Sequence, residues 1–155
     1  VYKHQFFYIF MKKVFSVILV ALVICSLCCK KAIQNAEQSL LQKYFDKYVI
    51  GNNFTVTLAK DSSADITADY SGYTFVLLKT DEYHGPLQAN KGSAQYMGTW
   101  SSNDDYSKLD ISLPDSIPVF NFLNRSWRFT KKANPTLQLA PWGSDAPLVL
   151  YMTHQ

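Results

Sequence analysis

From Gly51 onward, apolar residues recur at every second position in short runs, and this period of two constrains the fold more than any other feature of the chain. Successive side chains of a β-strand point to opposite faces, so alternation marks a strand with one buried face. Phe54, Val56 and Leu58 alternate with Thr55 and Thr57, and Lys60-Asp61-Ser62-Ser63 reads as a turn. Ile66, Ala68 and Tyr70 alternate again, Ser71-Gly72 turns, and Tyr73–Leu78 follows until Asp81-Glu82 breaks the run. A weaker strand is predicted around Pro86–Ala89, with a turn at Asn90-Lys91-Gly92. Strands at Ala94–Trp100 and Leu109–Leu113 flank the polar loop Ser101–Asp105, and the last three fall at Trp127–Thr130, Thr136–Leu139 and Leu148–Met152. In Val119–Trp127 the period changes: Phe120, Leu123 and Trp127 stand at i, i+3 and i+7, which predicts a short helical turn plugging one end of the fold. About eight short strands at roughly 8–12-residue spacing predict an all-β antiparallel meander, since the connections are too short for parallel crossovers. A meander with one buried face manages its edges by closing into a small barrel or folding into a sandwich.

Ahead of the strands the period is helical. In residues 32–48, Ile33, Ala36, Leu40, Leu41, Tyr44, Phe45 and Tyr48 form one stripe, and Gly51 is placed to end the helix. This amphipathic helix is expected to pack its aromatic end on the rest of the fold, the alternative being a tether that is helical only when docked.

Further upstream, Met11-Lys12-Lys13 is followed by an apolar run from Val14 to Leu27. A positive segment and then a short apolar one is the order of a secretory signal, and the run is short for a membrane span, which takes about 20 residues. Met11 is the expected start, and residues 1–28 are expected to leave as a signal peptide. If residues 1–10 belong to the protein, they lengthen the apolar region and favour an anchor instead. Ser26-Leu27-Cys28-Cys29-Lys30-Lys31 resembles the lipobox of bacterial lipoproteins, with small Cys28 before the cysteine. The resemblance implies lipidation of Cys29, hence a membrane partner and a place in the bacterial cell envelope. Lys30, where an inner-membrane retention signal resembles aspartate, leans towards the outer membrane. Plain cleavage and secretion is the alternative.

Charge agrees with that division. The chain carries 15 basic and 12 acidic residues, and Lys3, Lys12 and Lys13 account for the whole excess. A neutral body lacks the positive footprint that neutralises phosphates, so nucleic acid is not an expected partner. All three cysteines lie at 25, 28 and 29, which leaves the body without a disulfide framework, a thiolate metal site or a cysteine nucleophile.

Catalysis needs a nucleophile, a base within reach and a group to orient it. Of the two histidines in the body, His84 lies in the turn-like Glu82-Tyr83-His84-Gly85-Pro86 and His154 is penultimate. Asn103-Asp104-Asp105 offers hard oxygens without the spaced ligand series of a calcium loop, so a hairpin turn is expected. Asp65 and Asp69 would share one strand face, without an evident acid or base partner. No catalytic residue, metal or cofactor is predicted.

Gly98-Thr99-Trp100 in a middle strand, the Asn103–Asp105 loop, Leu109-Asp110-Ile111, and the step Leu123–Trp127 leading into Trp127-Arg128-Phe129 and Leu137-Gln138-Leu139 together resemble the lipocalin-like domains of secreted Bacteroidetes lipoproteins. The likeness covers about residues 50–153, and the Gly-x-Trp usual in the family's first strand is replaced by Gly51-Asn52-Asn53-Phe54. It implies residues 1–28 as signal, 29–50 as lipidated cysteine, linker and helix, and 51–155 as a lipocalin-like barrel, with no established ligand and no catalytic residues. Phe54, Val56, Leu58, Phe75, Leu77, Trp100, Ile111, Trp127 and Phe129 are expected inside the barrel, facing any ligand, together with Leu109, Leu137, Leu148 and Leu150. Tyr70, Tyr73, Tyr83, Tyr96 and Tyr106 are the expected surface aromatics for an interface. Two functions follow: an envelope lipoprotein whose barrel holds a small hydrophobic ligand, or a solid barrel that binds an envelope protein or glycan on its surface.

Overall fold

The computed structural model describes residues 37–154, apart from the side chains of Lys132 and Ala133. The signal segment, Met11 and Cys29 lie outside the described residues. The fold is all-β: among the described residues nine strands form one antiparallel sheet, of which eight close into a barrel, preceded by one helix. They are β1 (Asn53–Asp61), β2 (Ala64–Asp65), β3 (Tyr73–Leu77), β4 (His84–Lys91), β5 (Ala94–Ser102), β6 (Lys108–Ser112), β7 (Ser126–Ala133), β8 (Thr136–Pro141) and β9 (Leu148–His154). From β3 to β9 each strand pairs with the next, and β1 joins β3 on one side and β9 on the other, so the barrel rather than the sandwich is formed. The short β2 pairs only with the end of β1.

The compact unit that holds the barrel runs from Leu41, within the helix α1 of residues 37–48. Phe45 and Val49 are buried, and Gly51 takes a φ of 73°, a left-handed conformation that lets the chain leave the helix while its N–H reaches Leu77 O at 2.8 Å.

The first strand corrects the strict alternation. Val56 stands opposite Met152 but Leu58 stands opposite Tyr151, so Thr57 is an extra residue in the ladder. A bulge of one residue exchanges the two faces beyond it. Val56 therefore stays on the inner side, half-buried against the core, whereas Leu58 falls on the outer side and Ala59, fully buried, takes its place inside. Thr67 fastens this bend: its Oγ1 accepts the Ala59 N–H at 2.9 Å, and the Ile66 N–H bonds Ala59 O at 2.9 Å.

The predicted strand at Ile66–Tyr70 is instead a 3₁₀ turn, Thr67–Tyr70, lying over the stretch of β1 that β3 does not reach. Asp65 and Asp69 consequently do not share a strand face, and Asp65 accepts the Thr67 N–H at 2.9 Å. The helical step before β7 is a 3₁₀ turn at Pro118–Phe120, and Phe120, Leu123 and Trp127 are all fully buried.

Candidate functional site

A closed eight-stranded barrel has an interior just wide enough to be filled by side chains or to hold one small ligand, so the inward residues decide what it can bind. Phe54, Phe75, Leu77, Trp100, Ile111 and Trp127 are buried, as are Leu109, Leu137, Leu148 and Leu150; Phe129 is half-buried against the core. The two tryptophans stand towards opposite ends. Trp100 lies 5.4 Å from Phe45, ring centre to ring centre, and its indole N–H is donated to Leu78 O at 2.6 Å. Trp127 lies 5.4 Å from Phe122 and donates to Leu123 O at 3.0 Å. Both indole donors are satisfied by backbone of the same domain, which is the usual requirement for burying tryptophan. In Gly98-Thr99-Trp100 the glycine is a packing necessity, because a Cβ there would stand 2.1 Å from Ser112 O.

The five tyrosines expected on the surface are not there. Tyr70, Tyr73 and Tyr106 are buried, and Tyr83 and Tyr96 are half-buried against the core. Tyr106 meets Phe45 at 5.0 Å and Tyr83 at 5.5 Å; Tyr73 and Tyr96 meet Phe120 at 5.5 and 5.4 Å. These separations are those of favourable aromatic pairs, each contributing about 0.5–1.5 kcal/mol beyond area burial. The rings close the barrel ends instead of forming an interface. Tyr73 and Tyr96 lie on β3 and β5, Tyr70 on the 3₁₀ turn and Tyr83 and Tyr106 in loops, so what buries them is the neighbouring rings and not a shared place in the strand pattern.

Polar groups outside the core are engaged in holding turns. Asn103 Oδ1 accepts the N–H groups of Ser107 and Lys108 at 3.0 and 2.9 Å, as a hairpin loop requires. His84 and Asp81 form an exposed pair at 2.8 Å, with Asp81 also accepting the N–H groups of Tyr83 and His84. On the outer wall, Asp110 links three strands through Ser101 on β5, Lys108 on β6 and Ser126 on β7. Among the described residues no group of three or more His, Cys, Asp or Glu side chains is placed to hold a metal ion, and no helix is long and apolar enough to cross a membrane.

The exterior offers two features that sequence reasoning did not single out. One is an open groove of about 390 Å³ lined by Thr80, His84, Gly85, Pro86 and the run Gly98–Ser101. The other is the outer face of β4 and β5, where Pro86, Gln88, Asn90, Gln95, Met97, Thr99 and Ser101 carry no formal charge and Met97 is 49% exposed. Comparison with protein-family models, with curated proteins and with solved structures finds no match to this chain.

Proposed function

We propose that this chain is a non-enzymatic binding protein of the bacterial envelope, held at the outer membrane by a lipid on Cys29, whose solid lipocalin-like barrel recognises an envelope protein or glycan with its outer surface. The observation that carries the binding mode is the filling of the interior. Trp100, Trp127, Phe45, Phe54, Phe75, Phe120 and Tyr106 are all under 2% exposed, and so many large buried side chains support a filled interior over a lined pocket. Evicting one such side chain costs about 3–5 kcal/mol by analogy with truncation, which a small apolar guest would have to repay. The anchor rests on the lipobox resemblance, and stable attachment agrees with several acyl chains on one cysteine.

Native mass spectrometry of the protein isolated from its own membrane tests all parts together. The expected species starts at Cys29, carries the mass of a lipid modification and retains no second small molecule. A fluorescent fatty acid titrated to near-millimolar concentration should show no saturable binding. A retained apolar ligand with saturable titration would overturn the solid-barrel reading, and an unmodified Cys29 would overturn the anchor.

A further inference from the structure

The barrel is closed, yet one of its ladders stops early. β4 and β5 are joined by the two-residue turn Gly92-Ser93, with Gly92 at φ 59°, and Lys91 faces Ala94 across it. Residues flanking a two-residue hairpin turn exchange hydrogen bonds, and the pattern then alternates along the strand. Even-numbered residues of β5 therefore bond to the β4 side, as the Ser102 N–H to Tyr83 O bond at 2.7 Å illustrates. The odd-numbered ones turn their N–H and C=O towards β6: Thr99 meets Ser112 and Ser101 meets Asp110.

One step further, Met97 would meet Pro114, and the pairing ends there. Proline has no N–H to give, and the Pro114 carbonyl is already accepting from Ile117 at 3.1 Å. Among the described residues, the β6-side backbone groups of Gln95 and Met97 are thus left without a strand partner. The stretch lies open, since Ala94, Gln95 and Met97 are exposed. Two usual guards of an edge are missing from it: Ala94-Gln95-Tyr96-Met97 carries no charge and no proline, and nearby Lys91 is held over the Tyr73 ring at 4.5 Å.

We infer that the β6-side edge of β5 at Ala94–Met97 is a docking site for an extended, uncharged peptide segment of a partner protein, which pairs with Gln95 and Met97 as an added strand. The occupant follows from the chemistry. Two N–H donors and two C=O acceptors at strand spacing are matched by another extended backbone, as in strand addition. The uncharged outward side chains of the edge itself, Gln95 and the exposed Met97, favour apolar or neutral side chains on the segment's outer face. This inference rests on the reading of the domain as an exterior-surface binder and names its partner class.

Hydrogen exchange on the full-length protein in mild detergent checks the premise. The amides of Gln95 and Met97 should exchange fast while Tyr96 and Gly98 are protected, and protection of all four would overturn the inference. Binding is then tested with random nonapeptides displayed on phage and selected on the same protein. The enriched peptides are expected to be uncharged, and to lose about tenfold or more in affinity against Met97→Pro, which removes the free-edge donor along with the Met side chain, and against Met97→Lys, which retains the backbone. Tyr151→Lys, on the fully paired outer wall, should bind as the wild type does. N-methylation of the peptide at every second residue should abolish binding in one register and spare it in the other. Peptides that bind the Met97 variants undiminished would overturn the docking site. A glycan array bound by wild type and Met97 variants alike, with no peptide enriched, would overturn the site while upholding exterior binding. No peptide and no glycan bound would overturn both.

Discussion

At the helix end of the barrel, the closing side chains come from outside the sheet: Phe45 on α1 and Val49 just after it join the core with Trp100, Tyr106 and Phe129. At the opposite end they come from the insert between β6 and β7, where Phe120, Phe122 and Leu123 meet Tyr70, Tyr73 and Trp127. The insert is also stitched by side-chain hydrogen bonds. Tyr70 donates its hydroxyl to Val119 O at 2.9 Å, Trp127 donates to Leu123 O, and Asn124 brackets both backbone groups of Leu113 at 2.7 and 2.9 Å. Among the described residues the helix plug itself is tied to the rest of the fold by the Gly51 N–H to Leu77 O bond and the surface pair Lys79–Asp46, while the Trp100 indole at this end bonds to Leu78 O within the barrel. One plug is held by directed bonds with packing, the other by packing with little else. The difference locates where the fold can open without losing its sheet.

The largest expected effects come from the plugs themselves. Phe120→Ala should cost about 3–5 kcal/mol and lower the urea midpoint of the whole domain in a single transition, because the stitched insert cannot collapse into the hole. Phe45→Ala should cost about 2–4 kcal/mol, and its local signature should differ: faster hydrogen exchange at the Trp100 indole and at Leu77, with the turn end unchanged. If Phe45→Ala instead loosened both ends equally, the two plugs would be one cooperative unit and the contrast would fail.

Next comes Asn124→Ala. It removes partners from the buried Leu113 and the bond to Asp115, so about 2–3 kcal/mol should be lost by chemical denaturation. Asn124→Asp is the sharper variant. It keeps an acceptor for the Leu113 N–H but offers no donor to Leu113 O and faces Asp115, so it should rescue little.

How much of this could be read from the chain depends on which residue carried the signal. The barrel walls were legible because alternation survives wherever the ladder is regular, as in Phe75 and Leu77 or Leu148 and Leu150. Leu58 was misplaced because a bulge leaves no mark on hydrophobicity; the bend beyond it is held by Thr67, nine residues further along the chain and bonded back to Ala59. Ile66-Thr67-Ala68-Asp69-Tyr70 satisfied a period of two by coincidence, while its register was set by a turn that Tyr70 locks onto Val119. The interior residues of the candidate site were visible as types, yet whether they lined a pocket or filled it depended on Phe45, Tyr106 and Phe120, which enter from the helix, a loop and the insert. Pro114 was visible throughout, but its meaning as the end of a ladder required the register of β5 against β6.

The outer wall supplies a smaller effect that belongs to neither end. Burial pushes the Asp110 carboxyl up, and hydrogen bonds from Ser126, Lys108 and Ser101 outweigh it, so the net position is below the ordinary carboxylate range. A depressed folded value gives stability that is present above the unfolded value of about 3.9 and lost as pH falls through the folded one. Asp110→Asn should therefore cost about 1 kcal/mol at neutral pH and flatten the acid limb of the stability profile, with no change in exchange at either plug.

The smallest expected effects divide the two ends most finely. Tyr70 and Tyr106 are both held well above the ordinary phenol range, in each case first by burial. Neutral phenol is thus the form the fold prefers, and its contribution is complete below the unfolded value of about 10 and falls as pH climbs towards the folded one. The two hydroxyls differ in what they hold. Tyr70 makes a 2.9 Å bond to Val119 O, whereas Tyr106 reaches Glu82 only at 3.4 and 3.5 Å. Tyr70→Phe should cost about 1 kcal/mol at neutral pH, and Tyr106→Phe about a few tenths, since long contacts contribute little. Either substitution should soften the loss of stability above pH 10, read by thermal melts across the alkaline range, because either removes a buried group that must ionise. Equal neutral-pH costs for the pair would mean that Tyr106 is anchored as firmly as Tyr70, and the helix end would then be stitched as the turn end is.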